Sequence, residues 1–250
     1  MRIRGGMTSA ALQHLRRTLI ELSLDRVAGN PFDNALEVFG QPRERLNLVV
    51  LGTNGNGTDM TRSNAQWLDM RAETPGYCHL SHGDWGRSRL QPELRRLPEV
   101  LNQSLGESRF ALPRTIFGNA LLLASEGVAD IPRQVQRHIA AGGPHPHLNS
   151  LLNASLRFLE HGTLALCQPD VLFVYGNAED RSAWAYLRRH FPLCSEGPRV
   201  AIRGARAYKF CRLRIGQRSI PVIGSPHLSY AYNRLDAQRI GQGLQALGVG

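Results

Sequence analysis

The hydrophobic pattern of the chain is dominated by short apolar runs that end at glycine or asparagine. Continuous runs of this kind, rich in β-branched residues, are typical of strands that are buried on both faces of a sheet. Between them, apolar residues recur at the spacing of amphipathic helices. The runs predict strands at 46–52, 114–123, 169–176 and 220–224, with one or two further strands within 199–215. The helical periodicity predicts helices at 8–29, 130–140, 148–161, about 180–191 and 234–247.

This order of elements predicts an α/β fold with a mainly parallel central sheet, because the strands alternate with helices. Helices on both faces of the sheet would give three layers, α/β/α. The length of 250 residues fits a single domain that spans 1–250, with an N-terminal helix inside 1–30. The segment 60–110 is the least periodic part of the chain. We expect an irregular insert there, and long irregular segments often carry function.

The charge of the chain narrows the choice of partners. The net charge is +10, the sequence pI is about 10.3, and only Lys209 among the 30 basic residues is a lysine. Arginine forks suit phosphate groups, so DNA, single- or double-stranded, is the favoured partner. Genomic base composition can explain the ratio of arginine to lysine, but not the excess of positive charge. The cluster best placed for phosphate alternates with Tyr208 and Phe210, and consists of Arg203, Arg206, Arg212 and Arg214.

Cysteine usage and hydropathy indicate a reduced, cytoplasmic protein. No apolar stretch is long enough to span a bilayer, and the N-terminus lacks the apolar core of a secretory signal. The four cysteines include no Cys-x-x-Cys pair, which argues against disulfides and an iron–sulfur cluster. Cys78, His79 and His82 could form part of a zinc site, but no fourth ligand lies near them in the sequence. We therefore predict no membrane contact and no metal.

Three polar residues lie at or near predicted strand ends without an evident structural need. They are Asn54, Asn119 and His227. Taken singly, each is more simply a turn or capping residue. In open α/β sheets, however, ligands bind beyond the carboxyl ends of the strands, and the glycines beside Asn54 let the backbone approach a ligand closely. We therefore expect the three side chains to meet in one cavity.

The same segments resemble the motifs of the uracil-DNA glycosylase superfamily, above all its single-strand-selective branch. Gly52-Thr53-Asn54-Gly55 after an apolar strand is similar to that family's Gly-x-Asn-Pro-Gly loop. Thr-Ile-Phe-Gly-Asn119-Ala is similar to the strand whose asparagine reads the base, and 170–177 resembles the third core strand. Gly-Ser-Pro-His227-Leu228-Ser229 is similar to Gly-x-Pro-His-Pro-Ser. Gly55 and Leu228 stand where the family pattern has proline.

The resemblance implies a uracil-DNA glycosylase-like fold and a hydrolase that removes uracil or a related deaminated base from DNA in base excision repair. Asn54 would position the attacking water, and His227 would donate a hydrogen bond to the leaving base. The flipped base would be held by Gly52, Thr53, Gly55 and Asn119, with Ser229 on a flanking phosphate. Tyr230, Tyr232 and Arg234 would contact DNA, and Trp67 or Trp85 could stack on the base. Such catalysis relies on oriented hydrogen-bond donors and base flipping, so no metal or cofactor is implied.

Two alternatives stay open from the sequence. One is a protein of the same fold that has lost catalysis and binds nucleic acid or a nucleotide, which the replaced prolines at Gly55 and Leu228 would allow. The other is a hydrolase that acts on a small nucleoside-like substrate.

Overall fold

A six-stranded mixed sheet with helices packed against it forms the centre of the molecule. The computed structural model of the protein describes residues 9–32, 46–55, 60–74, 90–204, 206–229 and 234–249. The strands within these ranges are β1 (Leu48–Gly55), β2 (Thr115–Ala124), β3 (Val171–Tyr175), β4 (Leu193–Arg203), β5 (Arg206–Ile215) and β6 (Arg218–Ser225). Their order across the sheet is β2-β1-β3-β6-β5-β4. The first four are mutually parallel, whereas β5 runs antiparallel to both β6 and β4.

Seven α-helices longer than one turn lie in the described ranges. They are α1 (Ser9–Glu21), α2 (Asn64–Glu73), α3 (Leu90–Leu105), α4 (Ile131–Ala140), α5 (Leu148–Phe158), α6 (Ala183–His190) and α7 (Ala237–Ala246). A π-helical turn (Leu159–Leu164) extends α5. None of these helices has the length and apolar character needed to cross a membrane.

Two apolar clusters lie on opposite faces of the sheet, because alternate residues of a strand point to opposite faces. In β1, Leu48 and Val50 belong to one cluster and Val49 and Leu51 to the other. Helices α3 and α7 cover the first of these faces, and residues of α1, α4, α5 and α6 belong to the cluster on the other. The predicted α/β architecture with a mainly parallel sheet is therefore confirmed.

The strand predictions hold, with shifted ends. The continuous apolar runs became the buried strands β1, β2, β3 and β6, and the segment 199–215 forms most of the β4–β5 hairpin. Strand β1 extends beyond its apolar run to Gly55, so Asn54 lies within the strand and not in a loop. Asn119 is the fifth residue of the ten in β2, so its predicted position at a strand end was wrong.

The prediction of an irregular insert at 60–110 was also wrong over the residues that the structure describes. Helices α2 and α3 occupy most of them, and α3 packs against α7. The predicted N-terminal helix of 8–29 is shorter than expected, since α1 ends at Glu21 and Ser23 has a left-handed backbone, with a φ of 54°. The chain from 28 to 32 then runs along the outer side of β2, where Phe32 forms a bridge with Gly118.

The topology defines a crevice at one edge of the sheet. From β1 the chain passes through α2 and then reaches β2 by way of α3, which packs on one face. The helices between β2 and β3 pack on the other face, as does α6, which leads from β3 into the β4–β5 hairpin and so to β6. The connections therefore diverge between the carboxyl ends of β1 and β3. Such a switch point is where α/β sheets bind ligands.

Candidate functional site

The carboxyl ends of β1, β3 and β6 bring Thr53, Gly176 and His227 together. A Cβ atom built on Gly176 would lie 3.7 Å from Thr53 Oγ1 and 3.9 Å from His227 Cδ2. Gly176 has a φ of +94°, a backbone conformation that favours glycine. Its backbone N–H donates to the carbonyl of Ser225, which holds the ends of β3 and β6 together. The histidine loop therefore lies at the switch point of the sheet.

A second group of atoms converges above Gly52. A Cβ atom built on Gly52 would lie 2.4 Å from the hydroxyl oxygen of Tyr175 and 3.0 Å from Oδ1 of Asn119. Gly52 and Asn119 are neighbours in the β1–β2 ladder, and Tyr175 is the last residue of β3 on the other side of β1. Because Gly52 has no side chain, these two polar groups can occupy the space that a Cβ atom would take.

The ring of Tyr175 connects these two groups. Its centroid lies 5.5 Å from that of the His227 ring, and the planes are inclined at 75°. This edge-to-face arrangement is a favoured one for aromatic rings. Asn119 of β2, Tyr175 of β3 and His227 beyond β6 thus form a continuous row across three parallel strands, with Gly52 and Thr53 of β1 between them.

The orientation of the Asn119 amide is set by a backbone carbonyl. Asn119 is 6 % exposed, and its Nδ2 donates to the carbonyl of Asn30 at 3.2 Å. Its Oδ1 therefore faces the space above Gly52, and no described residue donates a hydrogen bond to it. Because a carboxamide oxygen only accepts hydrogen bonds, the end of Asn119 that points towards Gly52 is an acceptor.

His227 is held as a neutral imidazole with a defined tautomer. Burial lowers the pKa of His227 from its ordinary value, because a desolvated ring is harder to charge. The backbone N–H of Ser229 donates to His227 Nδ1 at 3.3 Å. A neutral ring that accepts at Nδ1 carries its proton on Nε2, which is then the hydrogen-bond donor of the side chain.

Asn54 is turned towards β2 and not towards the histidine. Its Nδ2 donates to Ser125 Oγ at 2.5 Å, and the Ser125 hydroxyl in turn donates to the carbonyl of Gly127. This pair joins the ends of β1 and β2. The Oδ1 atom of Asn54 accepts no hydrogen bond from a described residue, so one end of the amide remains for a ligand or a water molecule.

Most of the other predicted binding residues lie near the site, and some lie outside the described residues. Thr53 is 8 % exposed and accepts a hydrogen bond from the backbone N–H of Ala183 at the start of α6. Gly55 is the last residue of β1, whereas its motif placed it in a loop after the strand, and Ser229 is exposed beside the histidine. Arg234 is exposed, and its carbonyl accepts from the hydroxyl of Tyr208. Tyr230, Tyr232, Trp85 and the possible zinc ligands Cys78, His79 and His82 lie outside the described residues.

Two sequence-based interpretations of the surroundings need correction. Trp67 does not lie open for a base, because the guanidinium groups of Arg62 and Arg71 are 4.6 and 4.9 Å from its ring centroid. Tyr208 and Phe210, which alternate with the arginines of the predicted phosphate cluster, are at most 1 % exposed and belong to the core, so they give that cluster no aromatic surface for DNA.

The arginine cluster of the hairpin is divided between two edges of the sheet. Lys209 of β5 pairs with Gly224 of β6, so Arg206 lies beyond the carboxyl end of β6, near the histidine loop. Arg214 pairs with Ser219 at the opposite end of the same strand. Arg212 donates to the carbonyls of Leu247 and Ser219 and is used structurally. Only the tip of the hairpin therefore lies at the candidate site.

Tyr175 and Ser125 are the site residues that sequence reasoning missed. Tyr175 ends an apolar run, where an aromatic residue reads as core, although its position directly before Gly176 at a strand end was a usable signal. Ser125 follows β2 directly, at the point where a parallel strand contributes to the same edge. In the part of the chain that the structure describes, no group of three His, Cys, Asp or Glu residues could hold a metal ion.

Comparison of the chain with protein-family models, with curated proteins and with solved structures found no match. The functional argument therefore depends on the geometry of the site.

Proposed function

We propose that the protein is a monofunctional DNA glycosylase with a uracil-DNA glycosylase-like α/β/α fold in one domain, and that it removes uracil or a related deaminated base by hydrolysis of the N-glycosidic bond. The observation that carries the proposal is the row of Asn119, Tyr175 and His227 at the carboxyl edge of parallel strands, where Gly52 makes room for the side chains of Asn119 and Tyr175. An acceptor, a hydroxyl and a neutral imidazole suit a flat, polar nucleobase.

The imidazole fits the electronic demand of the reaction. When the bond between the base and the sugar breaks, the electron pair stays on the base and positive charge develops on the sugar. A neutral histidine that donates from Nε2 can stabilise the negative charge on a base carbonyl without releasing its proton. The lowered pKa of His227 favours that neutral form at physiological pH.

The water that completes the reaction has a candidate anchor in Asn54. Its Nδ2 is occupied by Ser125, so its Oδ1 would accept a hydrogen bond from the water and direct the water oxygen at C1′ of the sugar. The hydroxyl group is added to C1′, and the remaining proton neutralises the released base. Positioning of this kind supplies a large part of the rate of such reactions.

The runner-up is a catalytically inactive protein of the same fold that binds nucleic acid or a nucleotide. One observation favours it: Asn54 is already committed to Ser125 and points towards β2, so it could be a purely structural residue that joins two strands. The net charge of +10 suits either function.

The decisive experiment is incubation with single- and double-stranded oligonucleotides that contain one uracil, followed by alkaline cleavage of abasic sites. Release of uracil by the wild type that is lost in His227→Ala and Asn54→Ala, but retained in the exposed-site control His161→Ala, supports the glycosylase. Tight binding without release would favour the inactive protein. Turnover of a free nucleoside without DNA binding would instead indicate a small-molecule hydrolase.

A further inference from the structure

The only lysine of the chain lies at the edge of the sheet that carries the candidate site. Lys209 is one of 30 basic residues, and all the others are arginines. A position that departs from so strong a preference points to a specific requirement for lysine. We infer that Lys209 is a positioning residue, whose ammonium group holds the loop between β3 and α6 so that Gly176 stays against His227. The inference rests on the proposed function, and adds to it a residue that acts on the site through a loop.

Lys209 reaches the β3–α6 loop (176–182) from β5, which lies on the far side of β6. Its Nζ donates to the backbone carbonyl of Asn177 at 2.6 Å and forms an ion pair with the carboxylate of Glu179. The side chain of Lys209 is only 11 % exposed, whereas that of Glu179 is 68 % exposed. Because an ion pair with an exposed partner contributes little, the shielded hydrogen bond to the backbone is the contact that fixes the loop.

The side chain of Asn177 ties the same loop to the sheet. Its Nδ2 donates to the carbonyls of Ala207 in β5 and Gly224 in β6, each at 2.9 Å. Lys209 is the partner of Gly224 in the ladder between these two strands. The lysine and the asparagine therefore anchor the loop to one point of the sheet, one through the loop backbone and the other through a loop side chain.

The anchored loop forms one wall of the candidate site. Gly176 is its first residue and has a φ of +94°, and its N–H donates to the carbonyl of Ser225 at 2.8 Å. A Cβ atom built on Gly176 would lie within 4 Å of both Thr53 Oγ1 and His227 Cδ2. A displacement of the loop would change the packing around the imidazole. A shift of about 1 Å in a positioning group can cost about a hundredfold in rate.

The contacts of Lys209 explain why arginine does not occupy this position. An ammonium group is compact, and its three donors can be directed separately, here to a carbonyl and to a carboxylate. A guanidinium group is larger and planar, and its donors form a rigid fork that suits a single carboxylate or phosphate. Because the side chain is almost enclosed, arginine at position 209 would push the loop away from the sheet.

The test compares Lys209→Met, which removes the ammonium group, with Lys209→Arg, which keeps the charge. The matched control is Arg218→Met, because Arg218 forms an ion pair with Asp170 on the adjacent strand β6, at the opposite edge of the sheet. We expect kcat for release of uracil to fall about tenfold or more in both lysine variants, with KM within about twofold of wild type, and both constants to be retained in the control. Wild-type kcat in either lysine variant overturns the inference, as does a loss confined to KM, which would mark Lys209 as a DNA contact.

A double variant keeps the test decisive if loss of the lysine also weakens the fold. Asn177→Ala removes the other anchor of the loop and keeps the carbonyl that Lys209 binds. Because both residues hold one loop, the combined loss of kcat in Lys209→Met with Asn177→Ala should be smaller than the product of the two single losses. Losses that multiply would show that Lys209 acts independently of the loop, and would overturn the inference.

A measurement on His227 tells a failure of the proposed function apart from a failure of the inference. Burial lowers the pKa of His227 from 6.5, so a displaced loop would hydrate the ring and raise the midpoint of its NMR titration towards 6.5. We expect this rise in Lys209→Arg, where the positive charge is kept and hydration is the only cause, and no change in Arg218→Met. If the wild type releases no base, this rise still supports the role of Lys209. Equal midpoints in the wild type and Lys209→Arg overturn it, whether or not the protein is a glycosylase.

Discussion

Gly52 shows how much of the candidate site depends on one missing side chain. The strand around it is apolar and buried, so a larger residue would be compatible with the sheet itself. It is the approach of Tyr175 from β3 and of Asn119 from β2 that requires glycine at this position. Because this requirement comes from two neighbouring strands, the local sequence could not reveal it.

Replacement of Gly52 by alanine should therefore impair both stability and function. The new methyl group would lie 2.4 Å from the tyrosine hydroxyl, which must move away, while alanine restricts the unfolded chain and offsets part of that cost. We expect the free energy of unfolding in urea to fall by about 1–3 kcal/mol, because the packed tyrosine ring must shift, and base release to fall by about tenfold or more. Gly127→Ala is the control, because Gly127 has an extended backbone with open space around it. Full activity in Gly52→Ala would show that base release does not depend on the positions of the Tyr175 and Asn119 side chains.

His227 gives the molecule a stability that depends on pH. Its pKa is lowered from 6.5 by burial, so below pH 6.5 the unfolded chain binds a proton that the folded chain resists. The stability from the neutral ring is thus complete above pH 6.5 and is lost as the pH falls towards the folded pKa. We expect the free energy of unfolding to decrease on acidification from pH 6.5, and to decrease less in His227→Gln.

Another histidine supplies the control for this pH effect. The pKa of His138 is also lowered, mainly by burial and to a smaller extent by the nearby His145. His138 therefore adds to the same loss of stability on acidification. His138→Gln should reduce the decrease in the free energy of unfolding at acid pH without changing base release. An NMR titration of the wild type in which His227 has a midpoint at or above 6.5 would contradict the predicted state of the ring.

At the scale of elements, the start of α6 depends on β1. Thr53 lies in the strand and its Oγ1 accepts the N–H of Ala183, a donor in the first turn that has no partner within the helix. Ser182 caps the same helix through the N–H of Ala185. The sequence analysis assigned Thr53 to the substrate, whereas this contact gives it a role in holding α6 behind the site.

Thr53→Val should accordingly lower stability. Valine has nearly the same shape as threonine but leaves the buried N–H of Ala183 without an acceptor, which costs about 1–3 kcal/mol. Thr53→Ser keeps the hydroxyl and should cost less, mainly for the lost methyl group. Chemical unfolding measures both variants. If valine and serine are equally tolerated, the hydroxyl does not support the helix.

The predictability of each element follows from how it is buried. Strands β1, β2, β3 and β6 are covered on both faces, so their continuous apolar runs identified them. Helix α3 was missed, although Leu94, Leu97 and Leu101 recur at helical spacing. Helix α2 gave no such signal, because two of its three buried residues, Asn64 and Arg71, are polar. Asn64 donates to the carbonyls of Leu24 and Leu122, and such long-range partners leave no trace in local periodicity.

At the scale of the whole molecule, the parallel strands explain why distant motifs meet. Carboxyl ends of parallel strands share one edge, so the segments around Asn54 and His227 could be expected there from their order alone. The directions of the side chains could not. Asn54 turns to Ser125, and Asn119 enters from the middle of β2, because both depend on the strand register and on the chain at 28–32.

The positive charge of the molecule should act on DNA mainly from the edge that carries the site. Each phosphate contact releases counterions, so the affinity for single-stranded DNA falls with salt by a slope of about 0.7 per contact on logarithmic axes. Arg206 extends beyond the carboxyl end of β6, next to the histidine loop. Arg206→Gln should weaken binding for every sequence and reduce this slope by roughly 0.7.

Arg214→Gln provides a control with the same change of charge on the same strand. Arg214 is exposed and lies eight residues away, roughly 27 Å along β5 at the spacing of an extended chain. Charge acting as a diffuse field would make the two variants equivalent, since both lower the net charge by one. If the DNA backbone follows the carboxyl edge, only Arg206→Gln changes the slope, and base release at low substrate falls with it. The slopes are measured between about 50 and 200 mM salt, where affinities that depend on phosphate contacts change strongly. Equal slopes in both variants would place the nucleic acid away from the hairpin tip.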